Sequence, residues 1–170
     1  RSREDRIVEG SAFFGAPENK GVALPESDMF AFAIYLFTLL VYQHPYDGPL
    51  NCIEDKDNQE SIIRNGQFIF SKNQSVNTVT EPIACTRWQL LSEELRMLFS
   101  NTFENSTLVD QRPRYVKWRY ALKNFQNNTV ECSCGFAQVS QTGNDICKNC
   151  AQIIPHFRRS EEHTSELQSR

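Results

Sequence analysis

Met29 to Tyr42 reads MFAFAIYLFTLLVY, a run that is apolar on all sides. It is shorter than the ~18–20 apolar residues a bilayer crossing takes, and it is long enough for several helical turns. The reading is therefore a helix buried in the core of a globular body. Ser27 and Asp28 just before the run offer oxygens to cap its first turn, and Pro45 is placed to stop it. No other stretch of the 170 residues is as apolar, so no membrane partner is expected.

The segments that follow this helix are also helical in pattern. Asp57–Arg64 reads as a short helix with Gly66 placed to end it. Gln67–Glu81 is polar and irregular, with an extended patch at Phe68, Ile69 and Phe70. Ser92 caps an amphipathic helix in which Leu91, Leu95, Leu98, Phe99 and Phe103 recur at helical spacing. Pro113 suits a first helical position, and Trp118, Ala121, Leu122 and Phe125 mark one face of the helix it opens. The expected class is mainly α. An apolar fraction of 39% suffices for a core, and a net charge of −3 with a pI near 5.7 speaks against a polyanion-binding protein.

From Asn127 the composition changes. Cys132, Cys134, Cys147 and Cys150 crowd together among Gly, Ser, Asn and Thr, as Cys-x-Cys followed, after twelve residues, by Cys-x-x-Cys. Two close thiol pairs joined by a short polar loop suit tetrahedral Zn2+. Two disulfides or four free thiols are the alternatives, and the chain shows no secretion pattern to favour disulfides. With four cysteines and no open position, the site would be structural rather than catalytic. The tight Cys132-x-Cys134 half leaves open whether one of its sulfurs points away. Lys148 is the one basic residue between Val130 and Pro155, which argues against nucleic acid as a partner of this part. Cys52 and Cys85 read as isolated thiols, and His44 as structural.

One further pattern runs from Val8 to about Phe125. Gly10-Ser11-Ala12-Phe13-Phe14-Gly15-Ala16-Pro17-Glu18 ends in Ala-Pro-Glu. Ser27-Asp28 then opens the buried helix, Pro45-Tyr46-Asp47-Gly48 follows it, and Arg112-Pro113 opens a later helix. In this order the elements resemble the C-terminal lobe of a eukaryotic-like Ser/Thr protein kinase. The resemblance implies a structural motif of Ala16, Pro17, Glu18, Asp28 and Arg112. Glu18 pairs with Arg112, and Asp28 anchors the catalytic loop's backbone. Gly10, Ser11 and Phe14 belong to the loop that receives the substrate peptide, so the implied partner is a protein substrate.

The family's Gly-rich loop, phosphate-binding Lys, His-Arg-Asp loop and Asp-Phe-Gly are not in the sequence. The chain thus carries no catalytic residue, and ATP and Mg2+ belong to the parent enzyme only. A pseudokinase-like scaffold whose ribbon recruits a partner is the alternative. Trp88 to Leu122, followed by the cysteines, is similar to a bacterial group in which a kinase domain is fused to a zinc ribbon.

These readings divide the chain into a partial kinase lobe at 1–126, a zinc ribbon at 127–157 and a tail at 158–170. Arg159 to Arg170, RSEEHTSELQSR, resembles a translated sequencing adapter and is left out of the fold reasoning as an expected disordered appendage. The chain begins with Arg1 and shows no signal-peptide pattern, so the expectation is a cytoplasmic fragment.

Overall fold

The structure, a computed structural model, describes residues 14–18, 24–48, 56–72, 79–140 and 145–154, with the backbone alone for 56–59. Gly10, Ser11, Cys52 and the tail from 155 onward lie outside these residues. The chain divides into two units, which meet in sequence after Asn127.

Among the described residues the first unit holds five helices: α1 (Pro25–Val41), α2 (Lys56–Arg64), α3 (Pro82–Leu90), α4 (Glu93–Glu104) and α5 (Tyr115–Asn127). A short 3-10 turn, Val109–Gln111, precedes α5. The second unit holds β1 (Thr129–Glu131), β2 (Ala137–Val139), β3 (Asp145–Ile146) and β4 (Ile153–Ile154). The fold is mainly α, and no helix among the described residues is long and apolar enough to cross a membrane.

α1 starts ahead of the expected cap. Leu24 is its N-cap, without a side-chain hydrogen bond, and Pro25 occupies the first turn, where a missing N–H costs nothing. Ser27 lies inside the helix and turns its hydroxyl to Glu18 instead. The helix also ends before Pro45. Tyr42 adopts φ 66° and sends its N–H to the Thr38 carbonyl. A left-handed tyrosine is disfavoured, and the Arg87 guanidinium, 3.5 Å from the centre of its ring, helps to hold it there.

Phe30, Ala33, Ile34, Phe37 and Val41 form the buried stripe of α1, which packs on α3 and α4. The helix is not buried on every side, because Tyr35 and Leu39 are more than half exposed. Phe37 sits at the centre of the core. Its ring lies 5.2 Å from that of Phe99, 5.5 Å from Phe68 and 5.6 Å from Phe103, each edge to face. Such pairs add ~0.5–1.5 kcal/mol each beyond area burial.

The stretch Phe68–Phe70 is a turn rather than a strand. Its Ile69 N–H bonds to the Pro45 carbonyl, which folds Phe68 and Ile69 into the core and stacks Phe70 on Trp88 at 4.7 Å. α3 was not evident in the sequence. Leu91 is its C-cap, not part of the next helix, while Ser92 caps α4 by accepting from the Leu95 N–H. α5 begins at Tyr115, two residues after Pro113.

Candidate functional site

Among the described residues, chemistry-bearing side chains come together in two places, one in each unit. In the first unit the centre is Arg112. Pro113 after it disfavours a helical backbone, and Arg112 accordingly sits extended at φ −62°, ψ 136°, at the end of the 3-10 turn. Its guanidinium donates from one nitrogen to Glu18 Oε1 at 2.6 Å and from the other to Glu18 Oε2 at 2.7 Å. It also donates to the Glu26 carbonyl at 3.1 Å and the Ser106 carbonyl at 2.5 Å, with the ring of Phe30 beneath it at 4.7 Å. The Arg112 side chain is 1% exposed and that of Glu18 20%.

A buried cation is costly unless it is paired and fully hydrogen-bonded, and this fork-to-fork pair meets most of that demand. Partial burial works against the Glu18 charge. The hydrogen bonds from Arg112 and from the Ser27 hydroxyl (2.8 Å) outweigh it and hold the carboxyl below its ordinary range. The pair ties residues 94 positions apart, clamping the Ala16–Glu18 loop onto α1 and the turn before α5. Tyr46 is buried close by and donates its hydroxyl to the Phe103 carbonyl. Its burial pushes that hydroxyl well above the usual tyrosine range.

The other residues that the sequence resemblance singles out are less engaged. Ala16 is buried and Pro17 half-buried. Asp28 is exposed in the first turns of α1, with no side-chain partner among the described residues. Phe14 is 39% exposed, its ring edge-on to His44 at 6.4 Å.

In the second unit, β1 pairs antiparallel with β2, and β3 with β4. Each hairpin carries a pair of the cysteines. The four sulfurs lie within 4.8 Å of one another, with Cys132 3.6 Å from Cys150 and Cys134 3.7 Å from Cys147. Two edges thus match the ~3.8 Å sulfur–sulfur edge of a tetrahedral site with ~2.3 Å metal–sulfur bonds. Neither sulfur of the tight Cys132-x-Cys134 half points away.

The local reason is that the two halves are one design at two lengths. The Cys132 N–H bonds to the Phe136 carbonyl, and the Cys147 N–H to the Gln152 carbonyl, one residue further along. Gly135 at φ 81° and Ala151 at φ 58° turn the chain back in the left-handed region. Each sulfur also accepts an amide N–H from two residues ahead. Cys134 donates to Cys132, Phe136 to Cys134, Asn149 to Cys147 and Gln152 to Cys150. Amides aimed at sulfur are the second shell that thiolate ligands require.

Those amides set the ionisation. The Phe136 N–H draws the Cys134 thiol down to about 6, and the Cys134 N–H lowers Cys132. For Cys150 the Gln152 N–H is outweighed by burial and by the three neighbouring sulfurs, which push it up to about 12. Four thiolates this close repel one another, and a divalent cation at their centre removes the conflict. The donor set is all sulfur, closed and supported by amides, so it fits a structural metal site with no vacancy for a substrate.

Gln138, buried on β2, donates to the Ile146 carbonyl at 3.0 Å and accepts the Lys148 N–H at 2.8 Å. It joins the two hairpins, a role that no periodicity in a three-residue strand announces. Cys85 is a free thiol. Comparison of the chain with protein-family models, with curated proteins and with solved structures yields no match.

Proposed function

We propose that the chain is part of a Ser/Thr protein kinase: the helical scaffold and peptide shelf of its C-terminal lobe, followed by a zinc ribbon. The observation that carries this reading is the two-pronged Glu18–Arg112 pair. The Ala-Pro-Glu resemblance implies that contact across 94 positions, and composition alone gives no reason for it. The order of α1, the Pro45–Gly48 turn and α5 supports the same reading. So does the exposed Asp28, whose carboxylate is open to backbone N–H groups of a catalytic loop that these 170 residues do not contain.

In this reading the whole protein transfers the ATP γ-phosphoryl group to a protein hydroxyl. Nucleotide and Mg2+ are bound by motifs outside this chain, which therefore binds no ATP on its own. The metal of the ribbon is Zn2+, which four cysteines in a closed tetrahedron suit best.

The test is the reading frame upstream of the codon for Arg1. In-frame His-Arg-Asp and Asp-Phe-Gly motifs, with ATP-dependent phosphorylation of a protein by the longer product, are the expected result. Motifs without transfer favour a scaffold that only binds. An upstream frame lacking both motifs overturns the kinase assignment.

A further inference from the structure

α5 buries one face and leaves the other unusually dressed. Trp118 and Ala121 are buried, with Leu122 and Phe125 packed beside them. On the opposite side Val116, Arg119, Tyr120 and Lys123 stand at i, i+3, i+4 and i+7, one continuous ridge. All four are exposed, Val116 at 73% and Tyr120 at 62%. Arg114 before the helix, Tyr115 in its first turn and Lys117 on its flank are exposed as well.

The charge is as one-sided as the exposure. No acidic residue occurs between Asp110 and Glu131, while that interval holds Arg112, Arg114, Lys117, Arg119 and Lys123. Arg112 is held by Glu18; the other four have no acidic partner among the described residues. From the packed neighbour α4, Glu94 meets the flank of the helix, where it accepts from Asn124 at 3.3 Å. The chain as a whole is net negative at −3, so this ridge is a local reversal of its charge.

Exposed cations on a lone helix add little to stability, and exposed Val and Tyr add nothing to the core. Together they are complementary to one kind of ligand. We propose that the outer ridge of α5 is a docking surface for an acidic peptide segment of a partner protein, one with carboxylates flanking an apolar side chain. Carboxylates pair with Arg119 and Lys123, the arginine offering a two-pronged fork. The apolar residue covers Val116 and the ring of Tyr120, and the tyrosine hydroxyl stays at the wet rim. A nucleic acid fits less well, because the net negative chain repels a long polyanion while offering it a strip only one helix wide. The inference is independent of the kinase reading.

The test is selection of a random peptide display library on the immobilised full chain. The expected winners are rich in Asp and Glu around a Leu, Ile or Phe, and their synthetic forms weaken as salt rises. Two double variants, Arg119→Glu with Lys123→Glu and Val116→Ser with Tyr120→Ser, each weaken binding at least about tenfold. Every substituted side chain is exposed, so both keep the parent's melting temperature.

Winners without acid enrichment, or winners indifferent to both variants, overturn the proposal. Tighter, variant-sensitive binding of single-stranded oligodeoxythymidine or of phosphatidylserine vesicles overturns it in favour of a polyanion or a membrane.

Discussion

Gly66 and Glu104 meet backbone to backbone: a β-carbon on Gly66 would lie 2.2 Å from the Glu104 carbonyl oxygen. Gly66 also ends α2 at φ 62°, its N–H on the Ile63 carbonyl and that of Gln67 on the Ile62 carbonyl. The glycine thus serves two demands, a left-handed helix end and a close approach to the last residue of α4. Gly66→Ala adds left-handed strain to a clash with backbone that no side-chain movement relieves. The expected cost is ~2–5 kcal/mol, read as a lower urea midpoint of the helical unit. A midpoint unchanged by this variant would mean that α2 and α4 do not approach as described.

The pair between Arg112 and Glu18 predicts that its two halves are not additive. Arg112→Ala leaves a half-buried carboxylate without its partner, and Glu18→Gln leaves a buried guanidinium without its counter-charge. Each is expected to destabilise by ~3–5 kcal/mol. Combining Arg112→Ala with Glu18→Gln should cost less than the sum of the two single changes, because each removes the reason for the other's penalty. Strict additivity in denaturant unfolding would show that the two charges do not interact.

The same pair sets an acid limb. Glu18 is held below its ordinary carboxyl range in the folded state, so the unfolded chain takes up this proton first. The contribution is therefore complete above the unfolded carboxyl range (~4.3) and is lost as pH falls through the lower folded value. The melting temperature of the parent chain should fall more steeply below about pH 4 than that of Glu18→Gln, which has no proton to gain there. Parallel acid limbs for the two proteins would rule this coupling out.

How much of this was legible in the sequence depended on the range of the interaction that decides each element. The 3.6-residue period of Leu95, Leu98, Phe99 and Phe103 is a local signal, and it marked α4 correctly. Pro82–Leu90 lacks such a period: only Ala84 is fully buried, and the helix is held against α1 by tertiary packing. The turn at Phe68–Phe70 looked extended because three adjacent apolar residues fit a strand, but the bond from Ile69 to Pro45 decides its shape. Tyr42 ends α1 through a ring contact with Arg87, 45 positions away, so nearby Pro45 was the misleading cue. The cysteines were the most legible feature, since ligand type and spacing are themselves the chemistry. Their amide donors and Gln138 were not, because backbone N–H groups carry no sequence signature.

The two left-handed residues of the ribbon predict changes of opposite sign. At Gly135 a β-carbon meets no atom within 4 Å, so Gly135→Ala carries only the backbone cost, ~1–2 kcal/mol. Ala151 already bears that cost at φ 58°, and Ala151→Gly should recover ~1 kcal/mol of it. Chelator concentrations needed to unfold the ribbon should rank Ala151→Gly above the parent and Gly135→Ala below it. The reverse order would place one of these turns in another conformation.

The proposed Zn2+ of the second unit carries the largest expected effect. The buried cluster of the ribbon consists of Cys132, Cys147 and Ile154, with Val130 and Phe136 packed against it. That is too little apolar surface to offset the entropy of ordering ~25 residues, at ~1–2 kcal/mol each for the backbone alone. A structural zinc site supplies ~10–16 kcal/mol toward that cost, more than so small a cluster contributes. Protein purified under reducing conditions should therefore hold one Zn2+ per chain, and Co2+ in its place should show the absorption of a tetrahedral thiolate site. Chelation should abolish the amide dispersion of residues 129–154 while the helical circular dichroism, which comes from α1 to α5, stays. Cys134→Ser should lose the metal as readily as Cys147→Ser, because the two sulfurs lie 3.7 Å from each other in the same cluster. A zinc content near zero, with the four cysteines freely reactive toward a thiol reagent, would show that the ribbon folds without metal and that the convergence of its sulfurs has another cause.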